Sequence, residues 1–478
     1  MSDNLCVSLQ RLLRWVGPRT VKHSPRVTVS SLPDEALLEV FNFYVDQINN
    51  MDAWHTLVHV CQKWRYVVFA SPRRLHLELR CTNKSPVKKM LDIWPALPIV
   101  INALITHSRL SDVINLVAAL EHHNLVCRIN IRGVLHSLLN SAAMKERFPM
   151  LTDLTLFSYE DNAPVISDSF LDGSAPRLQS LEFRGIPFPA LRKLLMSATN
   201  LVTLLLLDIP NSGIISPNLI VTCLSTLTRL RVLFICFRSP RSRAEREHRH
   251  PSLLKHQVLP SLTEFCFKGD SEYLEEIVGR IDAPALDSLM ITFFNQLVFD
   301  TPLLRDFFSR TEVFREPHRA DVTMTVGTNI RLTLFRLEGT MPVLDVTISS
   351  RVAEWQLSSL SQFFSSSFPP FPTLERLGIH GYIHHGVSQL WTDDVESSQW
   401  LELLHPFVAV RDLVLVSQFQ VASRVATALR ELTGNTTTAV LPALRQILID
   451  ASSIYRIREE LAPFITARQL SGHPVSVV

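Results

Sequence analysis

Glycine is scarce in this chain, 14 residues in 478, and none is arranged as G-x-G-x-x-G or G-x-x-x-x-G-K-[ST]. Folds that cradle phosphates need glycine where the backbone meets the ligand, so nucleotide loops of these kinds are excluded. Cysteine is sparse as well. Cys6, Cys61, Cys81, Cys127, Cys223, Cys236 and Cys266 are odd in number, scattered and without a C-x-x-C. That pattern suits reduced thiols of the cytoplasm or nucleus rather than a disulfide framework. Excess charge of either sign is missing, with 47 Lys+Arg against 45 Asp+Glu. Net charge therefore gives no support to a nucleic-acid or membrane-surface role. No uninterrupted apolar run approaches the roughly 18–20 residues of a membrane span.

What is present is a folded composition, 46% hydrophobic and 19% charged, in a chain too long for one compact core. Two or more units, or an elongated repeat array, are expected. Residues 5–16 (LCVSLQRLLRWV) form a weakly amphipathic basic helix. A mitochondrial presequence has this look, but the rest of the chain has the layout of an intracellular adaptor, so residues 1–27 read as a plain extension.

Helix signals begin at Ser31-Leu32-Pro33-Asp34. Serine can accept bonds from orphan amides, Pro33 suits an early helical position, and Asp34 and Glu35 favour the positive end of the dipole. Leu37, Val40, Phe41, Tyr44 and Val45 then recur at helical spacing, as do Val60, Trp64, Val67 and Val68. Between them Asp52 can cap a short helix carrying Trp54 and Leu57, and Ser71-Pro72 stops the pattern. The order Leu32-Pro33-x-Glu35, Val40-Phe41, Leu57-x-x-Val60-Cys61-x-x-Trp64-Arg65 resembles an F-box over about 40–45 residues. The resemblance implies a three-helix module that docks on the small adaptor subunit of cullin–RING ubiquitin ligases. Leu32, Pro33, Glu35, Val40, Phe41, Val60, Cys61 and Trp64 would make or support that contact. The same residues also suit the core of a small helical cap. A unit of this size is marginal without a partner surface, and a Leu-Pro pair at a helix entrance is not required by packing. Cys61 is expected to be a buried, inert thiol.

From residue 97 onward a signature of apolar-x-x-apolar-x-apolar recurs: Val126/Ile129/Ile131, Leu151/Leu154/Leu156, Leu178/Leu181/Phe183, Leu201/Leu204/Leu206, Leu230/Leu233/Ile235, Leu262/Phe265/Phe267 and Leu286/Leu289/Ile291. After a gap it resumes at Val343/Val346/Ile348, Leu374/Leu377/Ile379, Val410/Leu413/Leu415 and Leu444/Ile447/Ile449. Middle anchors from Ile129 to Leu289 are 25, 27, 23, 29, 32 and 24 residues apart, and the later spacings are 31, 36 and 34. Repeats of this length resemble leucine-rich repeats. A single unit buries too little to offset the entropy of ordering it, so only a stacked array is stable. The asparagine that usually follows the signature is replaced by Tyr159, Ile186, Ile209 and Arg238, which implies an irregular solenoid. Residues 292–342 break the rhythm: Val322/Met324/Val326 and Ile330/Leu332/Leu334 alternate across Gly327-Thr328-Asn329, as a strand pair does. Two more edge strands and an inserted hairpin both fit. Trp400-Leu401-Glu402-Leu403-Leu404-His405-Pro406-Phe407 and the closing Ala462-Pro463-Phe464 to Gly472-His473-Pro474-Val475 resemble the C-terminal repeats of F-box proteins from mushroom-forming fungi.

The expected fold is therefore α/β: an extension (1–27), a three-helix F-box-like domain (28–80), and an irregular solenoid with a curved parallel sheet and helical returns (81–478). Signature residues point inward, which places Asp153, Thr155, Phe157, Ser180, Glu182, Arg184, Thr203, Glu264, Cys266 and Lys268 on the open sheet face. There Leu205, Leu207, Val232, Phe234 and Cys236 form an apolar patch expected to receive a recruited protein, unless another segment folds over it. Residues 238–250 (RSPRSRAEREHRH) read as a solvated loop, with nucleic-acid contact as the lesser alternative. The histidine groups His122-His123, His248/His250 and His380/His384-His385 have no nearby cysteine pair, and zinc needs four ligands. Asp393-Asp394 lies in a polar loop, and Ser85-x-x-Lys88 lacks the companion motifs of penicillin enzymes. No catalysis, metal or cofactor is expected. The resemblance implies a substrate-recruiting adaptor of a ubiquitin ligase in the cytoplasm or nucleus, binding a target protein but no nucleic acid or membrane. A non-degradative scaffold is the alternative.

Overall fold

The computed structural model describes residues 31–478 except 49–52, 73, 85–86, 107–109, 134–135, 160–164, 188–190, 241–255, 295, 297, 326–328, 337–340, 350–352, 369–370, 383–395, 417–420, 433 and 451–453. The N-terminal basic helix, Asp52, Ser85, the basic run from 241, His384, His385, Asp393 and Asp394 lie outside these. The chain is α/β, with a large, mostly parallel sheet. It divides into two compact units: residues up to Arg80 with Ile93–Pro98, and Cys81–Asp92 with Ile99–Val478. No described helix is long and apolar enough to cross a membrane.

The first unit holds the helices Asp34–Ile48, Ala53–Val58 and Gln62–Ala70. The first helix begins later than Ser31 suggests: its opening turn is closed by the Leu37 amide donating to the Pro33 carbonyl at 3.1 Å. Asp34 and Glu35 occupy that turn, where negative charge is favoured. Leu37, Leu38, Phe41, Trp54, Leu57, Val58, Trp64, Val67 and Val68 are buried. Phe41 packs on Trp64 at 4.7 Å, and Trp54 on Trp94 at 5.4 Å.

Apart from Leu79 and Arg80 of the first strand, the second unit is laid down strand by strand. In chain order the strands are β1 (Leu79–Cys81), β2 (Ile99–Leu104), β3 (Val126–Arg132), β4 (Asp153–Phe157), β5 (Ser180–Arg184), β6 (Thr203–Ile209), β7 (Val232–Phe237), β8 (Gln257–Val258), β9 (Glu264–Gly269), β10 (Ile281–Asp282), β11 (Ser288–Phe293), β12 (Arg319–Thr325), β13 (Asn329–Phe335), β14 (Leu344–Ser349), β15 (Arg376–Tyr382), β16 (Asp412–Val416), β17 (Gln446–Ile449) and β18 (Ser476–Val477). β2 to β7, then β9 and β11, lie side by side in parallel. β8 and β10 form a small separate pair. Helices between the strands stack on one another from Leu191–Ser197 through Ile454–Leu470, and every signature residue from Val126 to Ile449 is buried. Alternation does this: in strands covered on one face, every second side chain enters the core.

No asparagine is needed to tie the strand entrances together, because main-chain carbonyls do it. Thr152 O accepts from the amides of Gln179 and Ser180, Gln179 O from Val202 and Thr203, Val202 O from Arg231 and Val232, and Arg231 O from Thr263 and Glu264, all between 2.7 and 3.1 Å. The pattern resumes with His318 O, Glu375 O and Arg411 O. Uneven spacing is absorbed in the returns, and the strand register is kept.

Residues 292–342 are an inserted hairpin, and the edge-strand alternative is wrong. The strand order runs β11-β14-β13-β12-β15. The chain passes over two strand positions, lays down β12, and returns through antiparallel β13 and β14 to close the gap beside β11. Two strands thus join the sheet without helices of their own, and the neighbouring helices must cover them. The 15-residue helix Ala353–Ser367 does so with phenylalanine. Phe293, Phe299 and Phe363 meet at 5.2–5.5 Å, Phe308 stacks on Phe368 at 4.6 Å, and Phe364 meets Phe407 at 4.9 Å. Rings fill the wider interval that aliphatic side chains fill elsewhere.

Candidate interaction surfaces

Two surfaces stand out, one in each unit. In the first unit, Lys63 donates to the Leu32 carbonyl at 2.6 Å and lies 3.6 Å from Asp34. The Leu32-Pro33 entrance is thereby held beside the start of the helix Gln62–Ala70. Pro33, Glu35, Val40, Val60 and Cys61 are exposed, and Leu32 is half-buried. Phe41 and Trp64 are buried, so they shape the surface from beneath and offer none of their own. Three expectations need correction. Val40 leaves the buried stripe and is 45% exposed. Val60 is not helical: it sits in the turn after Val58 and is 52% exposed. Cys61 precedes its helix with extended backbone and is exposed rather than buried. A polar residue usually caps a helix at that position, and Cys61 makes no side-chain cap.

Sequence reasoning missed two further exposed aromatics of this unit, Phe43 (65% exposed) and Tyr66 (69% exposed). Tyr66 lines a shallow groove with Gln62, Arg65, Phe69 and Ala70. Both aromatics fall off the buried helical stripes, and that is the signal that could have found them: a large apolar side chain on the solvent side of a short helix.

In the second unit the register places the open-face residues in rows. Thr155, Glu182, Leu205, Phe234, Cys266, Met290 and Asp345 are successive cross-strand partners. Leu205, Leu207, Val232, Phe234 and Cys236 all lie on this face as expected, half-buried rather than fully exposed. The apolar strip continues through Cys266 and Met290, which were not included in the expected patch. Met290 was legible, since it alternates with Leu289 and Ile291.

Charged pairs border the strip. On one side Arg184 faces Asp208 at 4.0 Å. On the other, Arg331 pairs with Asp345 across β13 and β14, and Arg319 with Asp321 along β12. The Asp345 contact raises the Arg331 guanidinium further. His380 Nε2 lies 3.7 Å from Asp321 Oδ1. Burial pushes the Asp321 carboxyl up, but His380 and then Arg319 outweigh it and hold it below its ordinary value. Gly378, directly opposite Asp321, makes room for this pair. A Cβ there would stand 2.5 Å from Asp321 Oδ1 and 2.6 Å from His380 Nε2. Within the strip, the Cys236 and Cys266 sulfurs are 3.9 Å apart. Their shared hydrogen bond raises the Cys236 thiol and lowers that of Cys266. Among the described residues, His, Cys, Asp and Glu side chains do not gather in threes around a common point.

No protein-family model matches the chain, and no curated protein is similar to it.

Proposed function

We propose that the chain is a substrate-recruiting adaptor of a cullin–RING ubiquitin ligase. In this reading the three helices up to Arg80 act as an F-box that grips the small adaptor subunit. The second unit acts as an irregular leucine-rich repeat solenoid that holds a target. One observation carries the reading. The first unit packs its own core with Phe41, Trp54 and Trp64, yet leaves Val40, Phe43, Val60 and Tyr66 uncovered. Exposed apolar side chains grouped on a small module are the usual mark of a protein partner, and they fall within and beside the segment that resembles the F-box.

The strip from Leu205 to Met290, rimmed by charged pairs, has the make-up of a protein interface, apolar at its centre and polar at its border. It is assigned to the target. Such a protein needs no chemistry of its own, because it raises the local concentration of one protein near another that brings the reaction. The test is binding of purified adaptor subunit to the full chain. Wild type should bind, and Val40→Asp with Val60→Asp should weaken binding at least about tenfold, since each charge would be buried unpaired. If wild type fails to bind although its circular dichroism shows a folded chain, the second unit stands as a scaffold without a ligase.

A further inference from the structure

The centre of the open-face strip is unusually rich in sulfur. Cys236, Cys266 and Met290 stand on β7, β9 and β11, three adjacent strands, and all three are half-buried on the same face. Cys266 and Met290 are direct cross-strand partners. Cys236 is partnered with Lys268, two residues beyond Cys266, so the two cysteines are diagonal neighbours. Diagonal neighbours on paired strands are about 7–8 Å apart, at or past the roughly 7 Å limit for a disulfide without backbone movement. The sulfurs nevertheless lie 3.9 Å apart. A bridging atom fits that interval. At a metal–thiolate distance of about 2.3 Å, sulfurs 3.9 Å apart subtend an angle of about 116° at the ion, close to a trigonal arrangement.

We propose that Cys236, Cys266 and Met290 form a three-sulfur site for a soft monovalent cation, copper(I). Thiolate and thioether sulfur select that ion over hard cations, which take oxygen ligands. Zinc is disfavoured because it wants four ligands drawn from Cys, His, Asp and Glu, and a thioether is not among them. No third His, Cys, Asp or Glu joins the pair among the described residues. On binding, each cysteine gives up its proton to solvent, so copper(I) with two thiolates carries one net negative charge. Lys268, beside Cys236 on the neighbouring strand, offsets it. Phe234, the cross-strand partner of Cys266, supplies an apolar neighbour that limits water around the ion. The site lies within the strip assigned to the target, and the titration reads it with no target present, so its failure leaves the adaptor reading standing.

The experiment is an oxygen-free titration of the reduced full chain with copper(I) held by bicinchoninate, a coloured chelator that competes for the ion. Wild type should withdraw one equivalent from the chelator. Cys236→Ser with Cys266→Ser should remove that equivalent, and Met290→Leu should weaken it by about tenfold. Zinc at the same concentration should not displace the copper. Serine on a half-exposed strand position is nearly isosteric, and the two single variants serve if the double variant does not fold. Equal withdrawal by wild type and the cysteine variants, or none by wild type, overturns the site.

Discussion

Arg468 has 0% of its surface exposed, and no carboxylate among the described residues pairs with it. Its guanidinium donates instead to the carbonyls of Thr437, Pro442 and Leu444 at 3.1–3.3 Å, tying the last helix to the turn that enters β17. Burial lowers its pKa. Replacing it with methionine would leave three carbonyls short of a donor, so Arg468→Met should cost about 2–4 kcal/mol in urea unfolding. Asp321 gives a pH-dependent counterpart. Its folded pKa lies below the unfolded value, so its contribution is present above about pH 4 and is lost as pH falls through the folded value. Asp321→Asn should cost about 1–2 kcal/mol near neutrality, with the gap from wild type closing in acid. Gly378→Ala should mimic the loss by parting Asp321 from His380. At the same scale, burial pushes the Cys81 and Cys223 thiols up to about 11. Both should resist alkylation in the native chain while exposed Cys61 reacts, which mass spectrometry of a short labelling pulse would read.

Helices of the second unit are joined by specific contacts as well as by packing. Glu275, buried in the helix Ser271–Val278, accepts from the amides of Leu303 at 3.0 Å and Leu304 at 2.6 Å. Its carboxylate thus caps the next helix, Pro302–Arg310, where orphan amides need acceptors. Tyr273 reaches back to donate to the Ile215 carbonyl at 2.6 Å. Glu275→Leu should therefore cost about 1–2 kcal/mol. Phe308→Ala, at the centre of the ring cluster, should cost about 3–5 kcal/mol. Both are read from urea midpoints of the full chain. Elements of this kind were partly legible in the sequence. The repeated triad located the strands because burial on one face enforces a period of two. The apolar run Leu204-Leu205-Leu206-Leu207 announced an open face that is not polar. The order β14-β13-β12 was not legible, because alternation shows that a strand has a buried face but not which strands pair. Cap partners such as Glu275 were hidden for the same reason, since they act between segments distant in sequence.

At the scale of the whole molecule, one unit has a packed interior and exposed apolar residues, and the other has a long sheet with one face left open by the described helices. The helical spacing before residue 80 located the first unit's helices. It misjudged which apolar residues turn inward, because the stripe through Leu37 and Phe41 is narrower than the residues available to it: Leu38 takes the place expected for Val40. That displacement leaves Val40 exposed. The most direct measurement is the dissociation constant between the full chain and the small adaptor subunit of cullin–RING ligases, obtained by titration calorimetry. Tight binding by wild type, weakened at least about tenfold in a folded Val40→Asp/Val60→Asp variant, is the predicted result. Equal affinity in both, or no binding by a folded wild type, would contradict it.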